Sequence, residues 1–171
     1  MTIIRIVILC ILIAANISCF DDPPDKPMEN EHDASQQSGN ISSNIDADGG
    51  EIVISATGTA ADGIVIKISP DTFRAEITIN LTIDESPVVF EAGSPSGVVV
   101  SLSAESSEEF QKPVEITIPL DPSMADKMPV PYEVEDDGSL KLLDLINYDQ
   151  EAGEAVFVIM RTLSFTWAYI E

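Results

Sequence analysis

The eight residues Ile77-Thr78-Ile79-Asn80-Leu81-Thr82-Ile83-Asp84 decide the fold. Apolar and polar side chains alternate through them without a break, a period of two rather than 3.6. In an extended chain successive side chains point to opposite faces. Ile77, Ile79, Leu81 and Ile83 therefore share one face, and Thr78, Asn80, Thr82 and Asp84 the other. This is the pattern of a half-buried strand in an antiparallel sheet, with one face on a core and one in water.

The same period extends outward in both directions. Upstream, Ile52, Ile54 and Ala56 alternate with Val53 and Ser55, and Ile64, Ile66 and Ile68 with Val65, Lys67 and Ser69. Downstream come Val98, Val100 and Leu102, then Val114, Ile116 and Ile118 against Glu115 and Thr117. Segments 130–135, 140–145, 155–161 and 165–170 complete the set. Turn chemistry separates nearly all of them, as at Ala61-Asp62-Gly63, Ser69-Pro70-Asp71, Asp121-Pro122-Ser123, Asp136-Asp137-Gly138 and Glu151-Ala152-Gly153. No amphipathic helix stands out; Ser123 to Lys127 has room for one turn. The sequence thus predicts an all-β fold over residues 51–171, an antiparallel β-sandwich of about 8–9 short strands. A domain of about 120 residues buries roughly 65% of its unfolded surface, enough for a core without disulfides. Tyr132, Phe157, Phe165, Trp167 and Tyr169 are expected in that core or at its edge. An aromatic ligand platform is the alternative for the alternating Phe165, Trp167 and Tyr169.

Residues 19–50 read as an acidic flexible tether. Asp21-Asp22-Pro23-Pro24-Asp25 is followed by many Gln, Ser, Asn and Gly and few large apolar residues. Such a segment cannot offset its ordering entropy by burial. As a random coil it lifts the domain about 30 Å. His32, the single histidine, lies in it and reads as solvated. Asn44-Ile45-Asp46-Ala47-Asp48-Gly49 matches the first half of a calcium loop, but Ser55 stands where the bidentate acid belongs. An acidic turn leading into the first strand is the preferred reading.

Ahead of the tether, Ile3 to Ile17 is apolar except for Arg5 and Asn16. The run is too short for a hydrocarbon core of about 30 Å. A positive charge, a short apolar stretch and small residues describe a secretory signal. Ala15-Asn16-Ile17-Ser18-Cys19 resembles the lipobox of bacterial lipoproteins, with Asn16 departing from the usual apolar residue. The resemblance implies that 1–18 is a lipoprotein signal peptide and that Cys19 is lipidated, with palmitate among its acyl chains. An ordinary signal peptide or an uncleaved anchor are the alternatives. Two or three acyl chains would anchor the protein where one is marginal. Phe20, in place of the Asp that resembles an inner-membrane retention signal, favours the outer membrane. Asp21-Asp22 loosely resembles acidic surface-export signals. Cys10 reads as apolar filler.

Charge excludes some partners. All 30 acidic residues follow residue 20, against seven of the eight basic ones. Such an excess repels nucleic acid and anionic headgroups. Cys10 and Cys19 are the two cysteines, so the body has no disulfide and no thiolate metal site.

Phe110-Gln111-Lys112-Pro113-Val114-Glu115-Ile116-Thr117-Ile118-Pro119 resembles the F-x-K-P-V-x-I-x-I-P strand of ZU5-type domains. Ile64 to Phe73, Asp136-Asp137-Gly138 and the closing strands from Asp149 to Glu171 resemble further pieces in the same order, with Leu140 where the family has Trp. The resemblance implies a ZU5-like β-sandwich used for interaction. Some members cut themselves at a His-Phe-Ser motif; the matching residues are Thr162-Leu163-Ser164. Ser164 is retained, but Thr162 replaces the base, and a hydroxyl without a base is a poor nucleophile.

The domain has no His for a Ser-His-Asp or Cys-His set, and the chain has no phosphate loop. Carboxylates alone remain. Asp136, Asp137, Asp144, Asp149 and Glu151 are the candidates for a calcium or magnesium site, although an acid excess reads first as a solvated surface. The expectation is therefore no catalytic residue, no metal and no cofactor. The protein reads as a membrane-anchored lipoprotein presenting a non-catalytic β-sandwich interaction module in the cell envelope. It would hold the bilayer through acylated Cys19 and bind an envelope protein or glycan by protein or sugar contacts, not nucleic acid. A carboxylate-based envelope hydrolase and a calcium-stabilised adhesin are the alternatives.

Overall fold

A computed structural model describes residues 39–85, 88–91, 93–105 and 110–171. The expected signal peptide at 1–18, Cys19 and His32 lie outside them. Twelve strands form two antiparallel sheets. In the larger, the order is β1 (Asn40–Ile45), β4 (Ile77–Asp84), β6 (Val99–Ala104), β12 (Leu163–Ile170), β8 (Met128–Val134), β9 (Leu140–Leu142), with the two-residue β5 (Ser94–Pro95) also beside β12. In the smaller, the order is β10 (Leu145–Asp149), β11 (Glu154–Ile159), β7 (Val114–Pro119), β3 (Val65–Ile68), β2 (Gly50–Val53). One 3-10 turn at Pro122–Met124 is the only helical element among the described residues.

The deciding octet is β4, held between β1 and β6. Its Ile77, Ile79 and Leu81 are buried, and they meet one core with Val100 and Leu102 of β6, Ile66 of β3, and Ile116 and Ile118 of β7. Each such side chain contributes about 1.5–3 kcal/mol on burial. A register slip of one residue would turn all of β4's apolar side chains to water, so the alternation fixes the pairing. Phe157 of β11 and Phe165 of β12 meet edge to face across the two sheets, with centroids 5.2 Å apart. Phe165, Trp167 and Tyr169 are buried, as core packing requires.

The chain passes between the sheets at both lateral edges. β1 and β9 are edges of the larger sheet, β2 and β10 of the smaller. Residues 46–49 join β1 to β2, and Leu143-Asp144 joins β9 to β10. Each opening of the sandwich is therefore spanned by a short corner. At the first corner Gly49 has φ +80, and a Cβ there would fall 2.3 Å from the carbonyl oxygen of Ile68. Asp71 N–H donates to Ala47 C=O at 2.7 Å, which pins the same corner.

Three expectations change. The domain does not start at 51, because β1 occupies 40–45 within the stretch read as tether. Only Ile41 and Ile45 are large and apolar there, too weak a signal beside its polar neighbours; the backbone ladder to β4 completes the strand. Asn44 and Ile45 then end β1, and residues 46–49 form the corner between β1 and β2, not a turn ahead of the first strand. The segment 140–145 is not one strand but breaks at Leu143-Asp144 to change sheets. These differences, with the short β5, raise the strand count above eight or nine.

Candidate functional site

A cleft of about 540 Å³ opens where β6, β12 and β8 meet. Ser101 and Ser103 come from β6, Ser164 from β12, Glu133 from β8, Asp136 from the β8–β9 turn and Arg161 from the β11–β12 turn.

Register decides what each group can do. Glu133 pairs with Phe165, so its side chain shares the inner face with that ring. A carboxylate there is costly unless a partner compensates it. Arg161 does so: Nη2 lies 2.5 Å from Glu133 Oε1. The Glu133 side chain is 7% exposed and that of Arg161 59%. Ser164 pairs with Val134 and with Ser101 and faces outward, away from Glu133. Its hydroxyl lies 2.7 Å from that of Ser101.

This geometry bears on the chemistry implied at Thr162-Leu163-Ser164. Described residues include no histidine and no cysteine. The group nearest the Ser164 hydroxyl is another hydroxyl, which does not take up a proton at neutral pH. The buried carboxylate on the neighbouring strand faces the other side of the sheet and is engaged by Arg161. The cleft therefore offers hydroxyls and carboxylates as hydrogen-bonding partners, and Ser164 has no base beside it.

The acids singled out in the sequence are dispersed. Asp136 and Asp137 sit in the β8–β9 turn, Asp144 at the corner between sheets, and Asp149 and Glu151 where β10 turns into β11. Asp137 Oδ1 accepts from Ser139 N–H at 2.9 Å. Hydrogen bonding from Ser139, first its side chain and then its backbone, holds Asp137 below the usual carboxylate range. Ser123 does the same for Asp121, in the same order. Asp149 Oδ1 accepts from Glu151 N–H at 3.0 Å and from Ala152 N–H at 2.9 Å. Asp46 Oδ1 likewise accepts from Asp48 N–H at 2.8 Å. Among the described residues, no three Asp, Glu, His or Cys side chains converge to hold a metal ion. These carboxylates act as turn formers.

A second cleft, about 410 Å³, is lined by Asp62, Asp121, Trp167 and Tyr169, among others. Tyr169 OH accepts from Asp121 N–H at 3.0 Å. Trp167 Nε1 is buried and has no hydrogen-bond partner. Tyr132 departs from its expected place. It points away from the core and stacks edge to face with Phe90, centroids 5.4 Å apart.

Sequence reasoning missed the Glu133–Arg161 pair. Its only trace was a charge at an inward position of β8, and inward and outward could not be told apart before the pairing with β12 was known. Compared with known proteins, the chain matches no family model and no curated protein.

Proposed function

We propose that this protein is a lipoprotein anchored in the cell envelope through acylated Cys19, presenting its β-sandwich as a non-catalytic interaction module. Ser18-Cys19 at the end of a short apolar run is the observation that carries the anchor. The cleft at Ser164 supports the module, because that hydroxyl lacks a base beside it and the buried carboxylate is tied to Arg161. The ZU5-like string from Phe110 to Pro119 supports an interaction role as well. Phe20 and the acidic residues after it favour the outer membrane or cell surface. The partner is an envelope protein or glycan.

Labelling cells with a palmitate analogue tests the anchor. The full chain should take up label and sediment with membranes, whereas Cys19→Ser should do neither. Crosslinking in intact cells tests the module: one or two specific envelope components should be recovered with the protein. Label on the Cys19→Ser chain, or turnover of an envelope glycan by the purified protein, would overturn the respective half of the reading.

A further inference from the structure

Among the described residues, the outward-facing strand positions of the larger sheet carry a single charged side chain, Asp84, and this is unusual in a chain with 22% charged residues and a net charge of −22. Register defines the face. One row crosses all six strands as Asn40–Thr82–Ser101–Ser164–Val134–Leu140. A second row, Ser42–Asn80–Ser103, lies beside it. On the β8–β9 side the neighbouring row ends in Tyr132–Leu142. Charge borders the face: Asp84 ends β4, Glu105 follows β6, Glu91 lies in a cleft with Phe90 and Tyr132, and Glu133, Asp136, Asp137 and Arg161 line the cleft that Ser101, Ser103 and Ser164 share. The smaller sheet supplies the contrast within the same molecule. Its outer face carries the row Glu51–Lys67–Glu115, the usual alternation of signs.

The face has two chemistries side by side. Over β1, β4 and β6 it is a lattice of amides and hydroxyls, already ordered by their own contacts. Thr82 Oγ1 donates to Asn40 Oδ1 at 3.0 Å, and Thr78 Oγ1 donates to Asn44 Oδ1 at 3.1 Å. Those bonds leave the Asn Nδ2 donors and the Thr lone pairs for a ligand. Over β8 and β9 the face is apolar. Leu142 is 66% exposed, and Phe90 and Tyr132 form an aromatic pair at the border. Strands spaced about 4.8 Å apart set the repeat of the lattice.

We infer that this face binds a neutral polysaccharide. A neutral sugar presents hydroxyls at its rim, each both donor and acceptor, and C–H groups on its faces. The Asn, Ser and Thr lattice matches the rim, and the Phe90–Tyr132 pair matches the C–H faces. Scarcity of charge on the strands is the complementary feature. Few ions have to be stripped of water when a neutral chain lies across them. A cationic partner would instead be drawn to the acidic turns, and an apolar protein would leave the lattice unpaired. The inference names the partner class of the interaction module and rests on that reading.

The test uses the full chain in detergent, with insoluble chitin, insoluble cellulose and soluble dextran as probes and heparin as the charged control. Retention on at least one neutral glycan is expected, unchanged between about 50 and 500 mM NaCl because no ion pair is involved. The double variant Asn80→Glu/Ser101→Glu, which puts charge on the face, should weaken retention by about tenfold or more. Thr117→Glu, on the outer face of the smaller sheet, should leave it unchanged. Both variants must keep the parent melting transition. Retention on no neutral glycan would overturn the inference, as would equal losses in the two variants. A dimer broken only by Asn80→Glu/Ser101→Glu, without glycan binding, would assign the face to a second copy instead. An envelope protein captured in cells while every glycan fails would leave the module standing and remove only the sugar.

Discussion

Arg161 sets its guanidinium 2.5 Å from the carboxylate of Glu133, the one charged side chain that is buried among the described residues. The pair joins the β11–β12 turn to the inner face of β8 and seals one end of the core. Arg161→Met leaves the buried carboxylate without its partner and should cost about 2 kcal/mol. That is less than the about 3–5 kcal/mol of a fully buried pair, because Arg161 stands half in water. Glu133→Gln in the same chain should recover part of this loss. Urea melts of the two single variants and the double variant give the coupling, expected at about 1 kcal/mol. Additive losses would show that the two side chains do not act together.

Gly49 and Gly58 both have positive φ, yet they should respond differently to Ala. At Gly49 a Cβ would lie 2.3 Å from Ile68 O and 2.8 Å from the Ser69 carbonyl carbon, both rigid backbone. At Gly58 nothing lies within 4 Å. Gly58→Ala should therefore cost only the left-handed backbone, about 1–2 kcal/mol. Gly49→Ala must also displace β3 from the corner and should cost clearly more. Similar melting midpoints for the two variants would contradict the close approach.

How much of this was legible in the sequence follows from what alternation can encode. β4 and β7 announced themselves because every inward position is large and apolar. β1 did not, because Ser43 takes an inward place and the ladder to β4 carries that strand. The break at Leu143-Asp144 was hidden because leucines on both sides continue the apolar run. Ser164 was found in the sequence, and its neighbours were not. Ser101 is 63 residues away and meets it only through the β6–β12 register. The polar, sparsely charged face was in plain view as Thr78, Asn80 and Thr82, but its extent depends on strand order, which no local pattern contains.

Trp167 Nε1 is a buried donor without an acceptor, which costs about 1–3 kcal/mol relative to a satisfied one. Trp167→Ala opens a cavity and should lose about 3–5 kcal/mol. Trp167→Phe keeps most of the ring and removes the orphan donor, so the two effects oppose each other. Its loss should stay under about 1.5 kcal/mol. Denaturant midpoints separate the cases. A loss in the Phe variant approaching that of the Ala variant would mean that the indole N–H has a partner, such as a buried water.

Acid should act on stability in two opposite ways. Hydrogen bonds from Ser123 and Ser139 hold exposed Asp121 and Asp137 below the ordinary value of 3.8. A carboxyl depressed on folding contributes stability that is fully present above 3.8 and disappears as pH falls through its lower folded value. The net charge of −22 pulls the other way, because discharging the surface relieves self-repulsion of the compact state. Stability should therefore rise as pH is lowered from neutrality, pass a maximum and then fall on the acid side of 3.8. Carboxyl-carbon NMR titration resolves the contributors, with Asp121 and Asp137 expected to protonate after most of the surface acids. Asp137→Asn keeps an oxygen for Ser139 N–H but cannot titrate, so the acid limb of its melting curve should be shallower than that of the parent. If both carboxyls titrate with the bulk of the acids, the turn hydrogen bonds do not favour the charged form, and the acid limb has another origin.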